Sequence, residues 1–418
     1  MPNHVNPVKN DLARAIFDHA LSSVDPRIAV KQAITHVDLS TRSIYSVAIG
    51  KAATAMALGL DDALDDRLTA GVIVSTSRHD SMRWQSFVGG HPLPNDQSLA
   101  AARAALALLD RANNEEALVI FLISGGGSAM MEWPISNEIS LADLQRANEI
   151  LVACGARIAE VNAVRRAFSA VKGGALARRA PRARLITLIL SDTNRGDEAS
   201  VASGPTLATP PDAPKAIDVV EQYHLDAVLP HSIINAIKRA KNATTAINGS
   251  YEVILDNWSA VTAARNKAQE LGFDCITPQH ICEQPIEEGC NLLLSTLSAQ
   301  PVENKVAVIS GGEFSCPVRG DGVGGRNLET VLRCAMRLDK ASQHTVVLSA
   351  GTDGIDGNSP AAGAVADETT ILRARNLGLN PADFLARSDS YSFFAGLNDL
   401  ILTGPTGTNV RDLRILLH

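Results

Sequence analysis

Residues 117–128 read ALVIFLISGGGS, an apolar run that ends in three glycines between two serines. An apolar run closed by glycine is typical of a buried strand in a parallel sheet. Glycines after a strand leave the backbone N–H groups unhindered, so that these groups can converge on an anion. The stretch therefore predicts an α/β protein with an anion-binding turn at a strand end, and a plain tight turn is the alternative.

The same alternation of short apolar runs and Ala/Leu-rich amphipathic stretches continues on both sides of this strand. It is the α/β pattern of a Rossmann-like, largely parallel sheet with helices on both faces. Ligands of such sheets bind at the carboxyl ends of the strands. The predicted strands of this part are 43–50, 70–76, 117–124 and 183–192, and the predicted helices begin at 51 and span 100–109.

A second α/β run begins at 251 with YEVILDN, after a region with few motifs. It contains VISGGEFS at 308–315, which repeats the order of strand and Ser-Gly-Gly seen in the first loop. We therefore predict two domains, 1–245 and 246–418. The two glycine loops are expected to face an active site in the cleft between these domains.

Composition limits the class of protein. The chain has 418 residues, of which 45% are hydrophobic, and this is enough apolar material for two cores. The net charge of −7 gives no positive field for polyanions, so nucleic acid is not an expected partner. No stretch of about 18 apolar residues and no signal-peptide pattern occur, which predicts a cytoplasmic protein without membrane contact. The six cysteines form no Cys-x-x-Cys pair and are expected to be buried free thiols.

Basic residues accompany both glycine-rich loops. Lys51 follows a predicted strand directly and opens a helix, so its ammonium group can reach the strand-end crevice. The second loop, from Gly311 to Arg326, is open and ends on an arginine that begins a helix. Such a loop suits a polyphosphate whose charge the arginine neutralises.

Two acidic clusters complete the set, one around Asp192 and Asp197 and the other around Asp353 and Asp356. Phosphoryl transfer needs a hard cation held by carboxylates and a group that positions the attacking hydroxyl. Aspartate is also common in turns, so each acid alone decides little. Together with the loops and Lys51, the acids make a phosphotransferase the simplest interpretation.

Other enzyme classes lack their motifs. The glycine spacing matches neither the dinucleotide fingerprint nor the Walker loop, and no serine lies in a Gly-x-Ser-x-Gly elbow. The histidines show no metal-binding spacing, and His91 is interpreted as a loop residue.

In combination, these motifs resemble the glycerate 2-kinase family, the class II or MOFRL-type glycerate kinases. The resemblance covers the chain almost from end to end. The matching stretches are VAIGKAA (47–53), GGHPLPN (89–95), LISGGGSAM (122–130), NAVR (162–165), SAVKGGALA (169–177), LSD (190–192), SGPT (203–206), VISGGE (308–313), GDGVGGRNLE (320–329), SAGTDGIDG (349–357), AAGAVAD (361–367), SYSFFAG (390–396) and LTGPTGTNVRDL (402–413).

The resemblance implies an enzyme that moves the γ-phosphoryl group of ATP to the 2-hydroxyl of D-glycerate with Mg²⁺. It makes Lys51 and Arg326 the basic pair at the transferring group and Asp192 a base or metal ligand. The residues implied to bind the nucleotide are Ser124, Gly125, Gly126, Gly127, Ser128, Gly311, Gly312, Glu313, Gly324, Gly325, Asn327 and Asp353, and those implied to bind the metal are Asp192, Asp197 and Asp356.

Three departures from the family pattern, Asn95, Ala167 and Arg195, are expected to touch the acceptor pocket. They leave open a kinase of a related hydroxy acid, such as a four-carbon aldonic acid. Two further alternatives are a hydroxypyruvate reductase, which would need a nicotinamide site, and a noncatalytic metabolite-binding protein. The sequence does not fix the oligomeric state, and a homodimer is one expectation.

Overall fold

The computed structural model describes residues 7–240, 247–301, 305–338 and 345–418. Its helices are α1 (Pro7–Ser23), α2 (Pro26–Ile34), α3 (Ala53–Leu64), α4 (Asp96–Asn114), α5 (Gly127–Met130), α6 (Leu141–Ala153), α7 (Ile158–Phe168), α8 (Ala175–Arg178), α9 (Ala216–Gln222), α10 (His231–Arg239), α11 (Asn257–Glu270), α12 (Ile286–Ser298), α13 (Arg326–Leu338), α14 (Thr370–Asn376), α15 (Pro381–Ala386) and α16 (Ser390–Leu397). Its strands are β1 (Ile44–Ile49), β2 (Ala70–Ser75), β3 (Trp84–Val88), β4 (Leu118–Ile123), β5 (Arg184–Leu190), β6 (Gly249–Leu255), β7 (Asp274–Ile276), β8 (Val306–Gly312), β9 (Val346–Gly351), β10 (Gly363–Asp367), β11 (Leu400–Ile401) and β12 (Asp412–Leu417).

The chain folds into two compact units, which we call the N-terminal unit (26–255) and the C-terminal unit (α1 with 256–418). This division differs from the predicted domains 1–245 and 246–418. Strand β6 pairs in parallel with β5 and so completes the first sheet, while α1 buries Ile16 and Phe17 against the core of the second sheet. The predicted boundary at 245 lies outside the described residues.

The N-terminal unit is built on a six-stranded sheet in the order β3-β2-β1-β4-β5-β6, in which all neighbours are parallel. Strands β1 and β4 are buried along their whole length because helices cover the sheet. Helix α4, for example, packs Ala101, Ala105 and Leu109 into this core. The predicted Rossmann-like fold is therefore confirmed.

A separate helical layer of the N-terminal unit comes from the β4–β5 and β5–β6 connections. Helices α6, α7, α9 and α10 share an apolar cluster to which α7 contributes Val161, Val164 and Phe168. These three residues follow the 3.6-residue period of a helix and form its apolar face. The adjoining face, which we call the polar face of α7, carries Asn162 and Arg165.

The C-terminal unit contains a mixed six-stranded sheet in the order β11-β10-β9-β12-β8-β7. Strand β12 runs antiparallel to both of its neighbours, β8 and β9. Its first residue, Asp412, therefore lies opposite Gly312 and Gly351, the last residues of those two strands. This register brings a residue from the start of one strand to the ends of two others.

The structure also bears on two expectations drawn from composition. All six cysteines are free, with Cys290 and Cys334 buried and the other four partly accessible. In the described part of the chain, none of the helices has the length and apolar character needed to cross a membrane.

Candidate active site

The first glycine loop lies at the switch point of the parallel sheet. The strand order reverses between β1 and β4, and open α/β sheets bind their ligands at such a position. Lys51 follows β1 and Ser124 follows β4. The backbone N–H of Lys51 donates to the Gly125 carbonyl (2.9 Å), and the N–H of Ala52 donates to Ser124 Oγ (3.1 Å). The structure thus brings Lys51 and the first loop together.

Two of the loop glycines lie so close to neighbouring side chains that a larger residue would not fit. A Cβ atom on Gly125 would overlap the carboxylate of Asp192, which follows β5. Gly126 has a φ of 80°, and a Cβ atom there would lie 3.0 Å from Lys51 Cγ and 3.6 Å from His91 Cε1. Lys51, Asp192 and His91, from three different strand ends, therefore surround the backbone of one turn.

His91 has an unexpected place in this site, since its sequence marked it only as a loop residue. Partial desolvation lowers its pKa, and the positive charges of Lys51 and Arg165 lower it further. A hydrogen bond with the Gly126 backbone acts in the opposite direction. Burial and the two positive charges thus favour the neutral form of this imidazole, which lies next to the glycine loop.

A chain of polar side chains closes one side of the loop. The hydroxyl oxygens of Ser128 and Ser203 are 2.8 Å apart, and Ser203 donates to Asn162 Oδ1 at 2.8 Å. Asn162 lies on the polar face of α7. The loop is therefore fastened to the helical layer as well as to β1.

The second glycine loop begins with Gly311 and Gly312, the last residues of β8, and closes on Arg326 at the start of α13. The guanidinium group of Arg326 is held by two carboxylates. Its Nε donates to Asp412 Oδ2 (2.5 Å), and its Nη2 donates to Glu313 Oε1 (2.8 Å) and Asp412 Oδ1 (3.2 Å). Among the described residues, Nη1 forms no hydrogen bond, so one edge of the group is available to a ligand.

The sequence interpretation missed Asp412, which is only 2% exposed. Burial opposes the charge of Arg326, but the two carboxylates outweigh this effect and raise its pKa. Arg326 is thus permanently charged and fixed in direction.

One of the remaining predicted residues, Asp356, caps helix α13. Asp356 accepts hydrogen bonds from the backbone N–H groups of Asn327 (3.0 Å) and Leu328 (2.8 Å), and from Asn327 Nδ2 (3.2 Å). Burial raises the pKa of Asp356 to about 7. Nearby, Gly324 donates to Asn358 Oδ1 (2.8 Å), and a Cβ atom on Gly325 would meet Asp356.

The predicted metal ligands are divided between the two units, with Asp192 and Asp197 in the N-terminal unit and Asp356 in the C-terminal unit. Both oxygens of Asp356 are already engaged in capping, and Asp197 is exposed in the loop after β5. Across the described ranges, His, Cys, Asp and Glu form no group of three or more that could hold a metal ion. Asp353 accepts from the Ile355 N–H (3.2 Å) within its own turn.

A cavity of about 380 Å³ adjoins the second loop in the C-terminal unit. Phe314, Pro317 and Val318 form its apolar side, and Arg326 lies on its wall together with the loop glycines. Its size is within the range of small-molecule sites. It can take a flat apolar group on one side and an anion on the other.

The three departures from the family pattern lie in different surroundings. Asn95 is the N-cap of α4, where its Oδ1 accepts from the Ser98 N–H (2.9 Å). Ala167 is buried in the apolar cluster of the helical layer. The contacts of these two residues are therefore structural, one as a helix cap and the other in a core, and their place in an acceptor pocket stays a prediction. Arg195 is exposed in the loop after β5.

A Rossmann-ordered sheet with a lysine and a glycine loop at its switch point is typical of α/β proteins that bind small anionic ligands. Comparisons with known proteins narrow this class. A model described as a domain of unknown function, DUF4147, matches residues 12–238, and the MOFRL family model matches residues 306–412. The chain belongs to the MOFRL-type glycerate 2-kinase family.

Individual relatives are similar over nearly the whole chain. D-glycerate 2-kinase of Thermotoga maritima is 34% identical over 97% of this chain and 97% of its own length. An Agrobacterium vitis protein with the provisional name hydroxypyruvate reductase is 35% identical, over 97% of this chain and 93% of its own length. The crystal structure of glycerate kinase from T. maritima has a TM-score of 0.85 at 32% identity, covering 98% of this chain and 99% of that one.

Proposed function

We propose that this protein is an ATP-dependent glycerate 2-kinase, which converts D-glycerate to 2-phosphoglycerate. The observation that carries the proposal is the junction of Lys51 with the Ser124–Ser128 loop at the sheet switch point. This junction offers a fixed cation beside backbone groups that suit phosphate oxygens. The kinase names of relatives that match nearly the full length of the chain support the same reaction.

In this reaction the protein mainly positions the substrates and stabilises charge, and it forms no covalent bond with them. The 2-hydroxyl oxygen attacks the γ-phosphorus, the bond to the β-phosphate oxygen breaks, and ADP leaves. Lys51 would stabilise the charge on the transferring group, because it lies against Gly126 of the loop. The proton of the hydroxyl passes to a nearby base, and both Asp192 and the neutral His91 border this loop.

For the nucleotide, we propose the C-terminal cavity beside Arg326. The apolar side formed by Phe314, Pro317 and Val318 suits a purine, and the Arg326 edge with its unused Nη1 suits a phosphate. Mg²⁺ stays a prediction from the family resemblance. No step of the reaction described above passes through it. The homodimer, the cytoplasmic location and the cleft between the domains also stay predictions.

A second candidate is the reductase, which the name of the A. vitis relative favours. The strand order is the one that many dinucleotide-binding proteins share. Against this candidate, the first loop lacks the Gly-x-Gly-x-x-Gly spacing, and the Asp192 carboxylate occupies the space beside Gly125. A kinase of a related hydroxy acid differs from the main proposal only in the acceptor.

One experiment distinguishes the glycerate kinase, the reductase and the kinase of a related hydroxy acid. Purified protein is incubated with ATP, Mg²⁺ and a panel of hydroxy acids while ADP release is followed, and NADH oxidation is measured in parallel with hydroxypyruvate. We expect ADP release that is greatest with D-glycerate and no NADH oxidation. Greater ADP release with a four-carbon acid would change the acceptor, and NADH oxidation without ADP would refute the kinase.

A further inference from the structure

Helix α7 buries its polar face instead of exposing it. Asn162 and Arg165 lie one helical turn apart on this face, and Ser169 follows as the C-cap residue of α7. They are only 1%, 9% and 4% exposed. A polar helix face usually faces water, and burying it costs free energy unless it has partners or a ligand. The charged member of this face is Arg165.

Arg165 is anchored by a neutral group. Its Nε donates to Asn148 Oδ1 at 2.9 Å, and this is its one hydrogen bond among the described residues. Asn148 is itself buried and fixed by a bond from its Nδ2 to the Leu144 carbonyl (2.9 Å). With Nε occupied, the two terminal nitrogens remain as a fork, the geometry that binds a carboxylate in a bidentate manner.

Glu132, the carboxylate whose charge acts on Arg165, does not neutralise this arginine fully, because it already has other partners. Glu132 is paired with the buried ammonium group of Lys172 and accepts a hydrogen bond from Ser169 Oγ (2.5 Å). One carboxylate is thus shared by two buried cations, Lys172 and Arg165, and a positive charge remains. Arg165 also acts on His91, which contacts the same loop glycine as Lys51.

We propose that Arg165 binds the carboxylate of the hydroxy-acid acceptor. This inference rests on the proposed kinase function. In a 2-hydroxy acid the carboxylate is bonded to the carbon that carries the reacting hydroxyl. A cation that holds the carboxylate must therefore lie beside the place of phosphoryl transfer. Arg165 lies one helical turn after Asn162, which is connected through Ser203 to Ser128 of the first loop. Arg165 is a specificity-determining residue in this arrangement.

The competing ligand for this cation is a phosphate of the nucleotide. The glycine loop and Lys51 already provide N–H groups and a charge for phosphate oxygens. The planar fork of Arg165 matches the planar carboxylate, and its fixed anchor suits one orientation of a small acid.

The test uses the full chain with Arg165→Met and Arg165→Lys, and with Arg146→Met as a control from an exposed ion pair on α6. Kinetics are measured with D-glycerate and ATP, and binding of D-glycerate and of ADP is measured separately by calorimetry without turnover. Loss of a charge-assisted hydrogen bond predicts a KM for D-glycerate about 10- to 100-fold higher in Arg165→Met. The KM for ATP should change less than about threefold, and Arg165→Lys should recover part of the loss.

Each result decides the proposal. If both KM values rise equally, or if Arg165→Met weakens the binding of ADP more than the binding of D-glycerate, Arg165 belongs to the nucleotide site and the proposal is refuted. If Arg165→Met does not fold, Asn148→Ala keeps the charge but removes the anchor, and an unchanged KM for D-glycerate there would refute it. If the wild type binds D-glycerate but releases no ADP, the kinase function fails while loss of binding in Arg165→Met still supports the carboxylate site.

Discussion

The two Ser-Gly-Gly loops use the same local device in different sheets. In the first loop, the Ser124 hydroxyl accepts from the Ala52 N–H (3.1 Å), and the Asp192 carboxylate lies against Gly125. In the second, the Ser310 hydroxyl donates to the Ile281 carbonyl (2.8 Å), and a Cβ atom on Gly311 would overlap the Asn257 side chain. Each serine connects its strand end to another segment, and the first glycine of each loop leaves room for a polar side chain from outside that loop.

The loops differ in how their cations are held. Lys51 is carried by the backbone junction of β1 with the first loop, whereas Arg326 is held by the side chains of Asp412 and Glu313. Asp412 reaches Arg326 because β12 is antiparallel to β8. A parallel sheet supplies a site from strand ends alone, while a mixed sheet also supplies residues from strand starts.

The largest effect is expected when the cation of either loop is removed. Lys51→Ala and Arg326→Ala should each lower kcat about 10²- to 10³-fold, because a fixed cation is worth most where charge develops in the transition state. Only Arg326→Ala should also destabilise the fold, by about 3–5 kcal/mol, since it leaves Asp412 buried and unpaired. Rates and thermal unfolding are measured for both variants.

Lys31→Ala on the surface of α2 is the control for a lost lysine charge. A near-normal kcat with a raised KM for ATP would make Lys51 and Arg326 simple binding residues. Equal stability of the two variants would contradict the difference in how the cations are held.

A smaller effect is expected from the carboxylate behind Arg326. Asp412→Asn keeps the shape but removes the charge that faces Nε and Nη2 of the guanidinium group. We expect kcat to fall about tenfold through misorientation of the cation, with little change in the KM for D-glycerate. If kcat is unchanged while the melting temperature falls, Asp412 has only a structural role.

Much of the first site could be predicted because it follows strand ends. Lys51, Ser124 and Asp192 each come directly after an apolar run, and the rule for parallel sheets places all three at one edge. Asp412 could not be found in this way, because it precedes its strand and only the antiparallel register brings it to Gly312.

The polar face of α7 was missed for a different reason. The spacing of Asn162, Arg165 and Ser169 is visible in the sequence, but a polar helix face usually indicates solvent. Only the packing shows that this face is buried. The Mg²⁺ ligand set stays a prediction. Asp356 lies in an Asp-Gly turn, a position that suits a metal ligand or a helix cap equally well, and in this structure it caps α13.

The role of Asp356 can be sharpened by Asp356→Asn. The Asp356 carboxylate accepts hydrogen bonds from the N–H groups of Asn327 and Leu328, and in the variant one of these buried groups loses its acceptor. The substitution should therefore lower the free energy of unfolding by about 1–3 kcal/mol. The concentration of Mg²⁺ that gives half-maximal rate should stay the same. Thermal unfolding and a Mg²⁺ titration of the rate check the two parts, and a large increase in that concentration would restore Asp356 as a metal ligand.

The smallest effect is expected at Asn95, which lies on the same sheet edge as the first loop but belongs to neither glycine loop. Its side chain accepts from the Ser98 N–H (2.9 Å), and the Ser98 hydroxyl in turn accepts from the Asn95 N–H (3.1 Å). Aspartate caps helices as well as asparagine does, so Asn95→Asp should change the free energy of unfolding by less than about 0.5 kcal/mol. The order of preferred acids in the panel should also stay the same, because the side-chain oxygen is used in capping the helix. A changed order would place Asn95 in the acceptor pocket after all, and the neutral cap would then be part of how this chain selects its substrate.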